Sequence, residues 1–288
     1  MKYRYVERRC DQVVIVILIC FTVAMLAAFV GSLAGLGGGV VLIPLLFIAN
    51  GHIEGFDWVT PQTVVAMSLL VMFFTGISSA LSYAKTKRID YKAGGLFLIG
   101  SIPGSMCGAW LNQYVQANTF YIYFGVLIIL IAAILFYRQL KGIQPRKVDI
   151  SEKGSRQAKI GTKEYTYKIK IIPAIMIAFF VGMLSGFFGI GGGAIMVPVM
   201  LLVFGFPVHI ATATSMFMII FVSLFGSITH IALGNIEWAY ILFFIPGAWI
   251  GGKLGALTNQ KISSSLLELF LRILLIIMGI RMILQGIG

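Results

Sequence analysis

Eight apolar stretches, each about long enough to cross a bilayer as a helix, run through this chain. They are Val13–Ser32, Thr63–Ala84, Gly94–Trp110, Phe120–Tyr137, Ile171–Phe188, Ala211–Leu233, Trp238–Ala256 and Ser265–Leu284. A spanning helix needs about 20 apolar residues, because in lipid every backbone N–H and C=O must be satisfied within the segment. Of 288 residues, 11% are charged and the mean hydropathy is +0.97, where a soluble domain carries about 25% charge. The expected fold is an all-α polytopic membrane protein with about eight transmembrane helices, located in the cell membrane. Two further apolar runs, Val40–Ala49 and Ala194–Phe206, are too short to cross alone and are expected as broken or re-entrant helices.

The charges are clustered. Lys and Arg number four at the N-terminus, four in Lys85–Lys92 and ten in Arg138–Lys170. The bias of such residues toward the cytoplasm turns most of the net charge of +12 into a topology signal, and nucleic acid is not an expected partner. Putting all three clusters inside gives eight crossings with both termini cytoplasmic. Residues 1–137 and 171–288 then form two four-helix membrane repeats, joined by a basic linker, 138–170, held near lipid headgroups. The first apolar run follows basic residues as a signal peptide would, but no small-residue cleavage site closes it, so a retained helix is expected. Cys10, Cys20 and Cys107 are scattered and odd in number, which suggests neither a disulfide framework nor a metal site.

The repeat is carried by a colinear series of matches. Gly35-Leu36-Gly37-Gly38-Gly39 with Pro44 returns as Gly189-Ile190-Gly191-Gly192-Gly193 with Pro198. Further along, Ser68 meets Ser215, Gly100, Gly104 and Gly108 meet Gly247, Gly251 and Gly255, and Asn112-Gln113 meets Asn259-Gln260. Glycines spaced by four put small residues on one helical face and let backbones approach. Three successive glycines do not share a face, and each costs a helix about 1 kcal/mol against alanine. They are expected to break the helix in each half. An inverted arrangement, with five crossings per half, would place Lys85–Lys92 and the linker opposite the termini. The parallel arrangement, with four crossings per half, is the expectation here.

A broken helix exposes unpaired N–H groups and the positive end of its dipole, which together hold anions without a charged side chain. The candidate substrate-binding residues are Gly37, Gly38, Gly39, Gly191, Gly192 and Gly193. Ser68 and Ser215 are expected to donate hydroxyls, and Lys253 to supply charge. Pro44 and Pro198 mark the helix breaks, and His230 is a candidate proton relay. No zinc-protease, serine-hydrolase, dinucleotide or phosphate-loop pattern is present. No catalytic residue, cofactor or metal site is therefore expected, and ATP is not expected to drive transport in this chain.

The two Gly-x-Gly-Gly-Gly copies, each opening a repeat, resemble the TauE/SafE family of sulfite exporters and related anion permeases, over about Phe21 to Leu284. The second copy, from Gly182 to Gly193, matches the family pattern closely; the first has Ala28 and Ser32 where glycines are expected. The resemblance implies export of small sulfur anions such as sulfite, sulfoacetate or thiosulfate, with protons as coupling ion. A secondary transporter working by alternating access is the leading reading. An anion channel, or a membrane scaffold without transport, is the alternative. Oligomeric state is not readable from the residues.

Overall fold

The structure, a computed structural model, describes residues 2–53, 55–140, 155–160, 163–168, 170–262 and 264–287. Five helices precede the linker: α1 (Lys2–Ala34), α2 (Gly39–His52), α3 (Pro61–Lys85), α4 (Tyr91–Asn112) and α5 (Ala117–Leu140). Five follow it: α6 (Ile171–Phe188), α7 (Gly193–Leu202), α8 (Val208–Ala232), α9 (Trp238–Asn259) and α10 (Ser264–Ile287). Helices α1, α3, α4, α6, α8 and α9 contain spans long and apolar enough to cross a membrane. The other two expected spans fall within α5 and α10, of 24 residues each.

The short apolar runs are helices of 14 and 10 residues. At 1.5 Å per residue they reach roughly 21 and 15 Å, short of a hydrocarbon core of about 30 Å. The linker holds one exception to the all-α expectation. Strands β1 (Ser155–Ile160) and β2 (Lys163–Lys168) pair antiparallel, with Ser155 opposite Lys168. The rest of the linker between 141 and 154 lies outside the described residues.

Helix starts follow local chemistry. Thr60 and Thr63 form a reciprocal capping box at α3, Thr60 N–H donating to Thr63 Oγ1 at 2.8 Å and Thr63 N–H to Thr60 Oγ1 at 3.2 Å. Pro61 occupies the first turn, where its missing N–H costs nothing. The Asp90 carboxylate accepts from Ala93 N–H at 2.9 Å and starts α4.

Helix directions can be read from the close-packed glycines. Gly100, Gly104 and Gly108 of α4 rest on the backbone of Ile175, Phe179 and Met183 of α6, in rising order, so these helices are parallel. Gly247, Gly251 and Gly255 rest in the same way on Phe21, Met25 and Phe29, making α9 parallel to α1. Between α3 and α8 the order reverses: Gly76 faces Met216 and Ile220, whereas Gly226 faces Leu69. It also reverses between α5 and α10, where Ile129 meets Gly279 and Ile122 meets Gly286. Helices matched between the halves thus run antiparallel. For the pairs α3·α8 and α5·α10 this order is that of the inverted alternative and not of the parallel one.

Helices α3 and α8 are the most enclosed of the long apolar helices and pack on each other at the centre. The pairs α1·α9 and α4·α6 flank them, and α5 packs on α10. Large apolar side chains such as Leu18, Ile99, Val126, Ile172, Leu242 and Leu284 are exposed around the outside. In lipid this belt is the solvated surface, and the buried hydroxyls of α3 and α8 are the anomaly that asks for an explanation.

Candidate functional site

Each glycine run ends one helix and starts another. Gly35, Gly37 and Gly38 have φ of 75°, 87° and 102°, and Gly189, Gly191 and Gly192 have φ of 68°, 69° and 71°. This left-handed region is open to glycine and strained for residues with a Cβ. Gly38 and Gly192 are the N-caps of α2 and α7. The first N–H groups of these helices have no carbonyl one turn before them.

The two breaks meet. A methyl group at Gly39 would lie 2.1 Å from the Gly189 carbonyl oxygen, and one at Gly193 would lie 2.3 Å from that of Gly35. The Ser68 hydroxyl donates to Gly189 O, and the Ser215 hydroxyl donates to Gly35 O. Two residues earlier, Asn112 Nδ2 donates to Phe187 O at 2.8 Å and Asn259 Nδ2 to Leu33 O at 2.7 Å. Each break is therefore fixed by side chains from the other half. The Met72 sulfur lies over both Gly37 and Gly191, and Ile219, its sequence match in α8, closes over Gly37 and Gly193.

This convergence sets the electrostatics. Two helix N-termini bring the positive ends of their dipoles to one buried centre. Among the residues whose side chains are described no Asp or Glu is buried, so none of these neutralises those ends. The buried polar groups are instead mainly hydroxyls: Ser32, Ser68, Ser185, Thr212 and Ser215. Pro44 and Pro198 lie inside α2 and α7. Lacking an N–H, they leave the carbonyls of Val40 and Ala194, in the first turn of each helix, without their usual donor four residues on. The centre offers donors to an anion and, a turn away, acceptors to a proton-bearing group.

The candidate glycines come together, and the side chains read with them fare differently. Ser68 and Ser215 stand at the centre, but each spends its proton on a protein carbonyl. In this structure they brace the breaks, a role the sequence did not suggest. Lys253 is exposed on α9, while its neighbours Gly251 and Gly252 are buried. The expected counter-charge thus sits on an exposed face of α9. His230 is buried in the last turn of α8, with Asn235 Nδ2 3.2 Å from its Nδ1. Asn112, Asn259, Met72 and Ile219 were missed as site residues. The asparagines carried a usable signal, since the repeat matches them; an apolar pair among dozens of apolar residues carried none.

The comparisons with known proteins find a family of membrane transporters. The family described as "Sulfite exporter TauE/SafE" matches residues 20–282. The chain is 44% identical to the "Probable membrane transporter protein YunE" of Bacillus subtilis, over 93% of this chain and 98% of that protein. A protein of Methanocaldococcus jannaschii described as a probable membrane transporter is 30% identical, over 91% and 93% of the two chains. Similarity to "Probable membrane transporter protein YfcA" of Escherichia coli K12 is 28% over 83% and 78%. No solved structure gives a match.

Proposed function

The chain belongs to the sulfite exporter TauE/SafE family, and from that premise we propose that it exports small sulfur-containing anions such as sulfite, sulfoacetate or thiosulfate. The family is one of membrane transporters, not of enzymes. The observation that carries the reading is the meeting of two helix N-termini at a buried centre whose polar side chains are hydroxyls and not carboxylates. The candidate donors to a desolvated anion there are backbone N–H groups within Gly37–Gly39 and Gly191–Gly193, which would spare the cost of burying a lysine beside it.

The duplicated halves are inverted repeats, and α2 and α7 are half-crossing helices that begin in mid-membrane. Broken helices at the interface of inverted repeats are the usual setting for alternating access, in which one half rocks against the other around a fixed site. Protons are the coupling ion of this reading, with His230 as the candidate relay.

The test is flux in proteoliposomes with a panel of sulfite, thiosulfate, sulfoacetate and small carboxylates, with and without an imposed pH gradient. Saturable flux of a sulfur anion, accelerated by the gradient, is the expected result. Flux that does not saturate would favour the channel alternative, and no anion flux at all would leave the scaffold.

The inverted reading also reassigns the sides. The N-terminus and C-terminus share one side, with Lys85–Lys92, the linker and Lys261 on the other. The second side holds fifteen Lys and Arg against four at the N-terminus, so the bias of basic residues makes it cytoplasmic. The termini are then on the outer face, which revises the cytoplasmic termini expected from the parallel arrangement. A cysteine introduced at Lys87 should resist a membrane-impermeant thiol reagent in intact cells, while one appended to the C-terminus should react. The reverse pattern would restore the original assignment.

A further inference from the structure

The two breaks are not equivalent. In the first, the Gly31 carbonyl accepts from Leu36 N–H at 2.8 Å and from Gly37 N–H at 3.2 Å. The peptide leading to Gly38 lies flat on Gly31: a methyl at Gly31 would meet Gly38 N at 2.0 Å and Gly37 C at 2.5 Å. That break is closed on itself, and only glycine fits at position 31.

The matched residue in the second break is Ser185. Its carbonyl accepts only from Gly189 N–H, at 2.8 Å, and the N–H groups of Ile190, Gly191 and Gly192 donate to no backbone carbonyl among the described residues. The chain there stands clear of the serine. A methyl at Gly192 would be 3.6 Å from both the Cβ and the Oγ of Ser185, and 3.8 Å from Val222. Ser185 is 0% exposed, and its hydroxyl has no hydrogen-bond partner. A buried hydroxyl without a partner costs about 1–3 kcal/mol. This one stands beside Gly192 at the start of α7, where those N–H groups find no backbone acceptor among the described residues.

We propose that the anion is bound one-sidedly, at the second break, with the Ser185 hydroxyl and the N–H groups of Gly191–Gly193 donating to its oxygens, while the first break is a structural counterpart. The proposal rests on the transport reading and names the specificity residue within it. Ser185 supplies a directional donor that rotates to match an oxyanion, which the fixed backbone N–H groups cannot do. The matching position of the first break has no such donor, because Gly31 has no side chain and no room for one; the unpartnered hydroxyl of Thr212, packed on Gly35, comes from α8.

The test compares Ser185→Ala and Ser185→Thr with wild type in the proteoliposome assay, reading KM for sulfite and thiosulfate together with the melting temperature of the purified protein. Ser185→Ala should raise KM about ten-fold or more, the loss expected for one hydrogen bond to a charged group, with little change in melting temperature. Ser185→Thr keeps the hydroxyl and should restore most of the affinity. If the hydroxyl served only its own helix by bonding back to a carbonyl one turn earlier, Ser185→Ala would shift melting and leave KM unchanged. That result overturns the proposal while leaving transport intact. Wild-type protein that moves no anion would defeat the transport reading, and the proposal with it. Should Ser185→Ala not fold, Ser185→Cys keeps the volume with a weaker donor; KM must rise there, and an unchanged value is equally fatal.

Discussion

Gly39→Ala is expected to unfold the centre of the protein and abolish anion flux, although alanine is the better helix former by about 1 kcal/mol. Gly39 opens α2 with an ordinary helical φ, so the backbone itself would accept a Cβ. The obstacle is the Gly189 carbonyl, 2.1 Å from where that Cβ would stand. The obstructing atom is backbone, pinned by Ser68, so no side-chain rotation relieves the clash. Overpacking typically costs 1–3 kcal/mol, and a rigid backbone neighbour puts this case at about 3 kcal/mol or more. Gly193→Ala meets Gly35 O at 2.3 Å and should behave alike. Gly51, in the same helix as Gly39, has nothing within 4 Å of its would-be Cβ. Gly51→Ala should therefore melt at or slightly above wild type with full flux. Thermal melts in detergent and flux in vesicles read both effects. A Gly39→Ala protein with wild-type melting and flux would mean that the breaks do not touch.

The repeated glycines made the breaks legible in the sequence, because three in a row inside an apolar run have no packing explanation. The same repeat identified Ser68 with Ser215 and Asn112 with Asn259 as matched pairs. It could not say what each pair bonds to, since every one of those carbonyls lies 75 or more positions away in the chain. Orientation was illegible for a different reason. A 10-residue helix such as α7 has the composition of half a crossing whichever way it points, and four against five crossings per half hangs on that direction. Lys253 shows a third limit. Among glycines 251, 252 and 255 its neighbours promised burial, yet the small face of α9 turns toward α1 and α3 and carries the lysine outward. The one-sidedness of the site lay in a single aligned pair, Gly31 with Ser185, and its meaning needed the backbone path around each.

Met72→Ala should uncouple transport. Met72 is 0% exposed, and its sulfur presses on both breaks, 2.8 Å from a would-be Gly37 methyl and 2.5 Å from a Gly191 methyl. With Ile219 it forms an apolar plug over the N–H groups that an anion must reach. A rigid plug would bar the site permanently. Methionine has three rotatable bonds and a polarizable thioether, so it can swing aside as the halves rock and return when they close. Truncation to alanine leaves a cavity where two breaks and two half-helices meet. Its stability cost is about 2 kcal/mol or more, and on the proposed proton-coupled, alternating-access reading its functional cost is larger, because anions would pass without the conformational step that ties them to protons. The expected signature is down-gradient flux several-fold above wild type, with the acceleration by a pH gradient lost. Met72→Leu conserves volume at a cost of less than about 1.5 kcal/mol and should keep coupling while slowing turnover, since leucine swings less freely. A Met72→Ala protein that melts earlier yet keeps wild-type flux and coupling would show that the plug is packing alone. The gate would then lie elsewhere along α3 and α8.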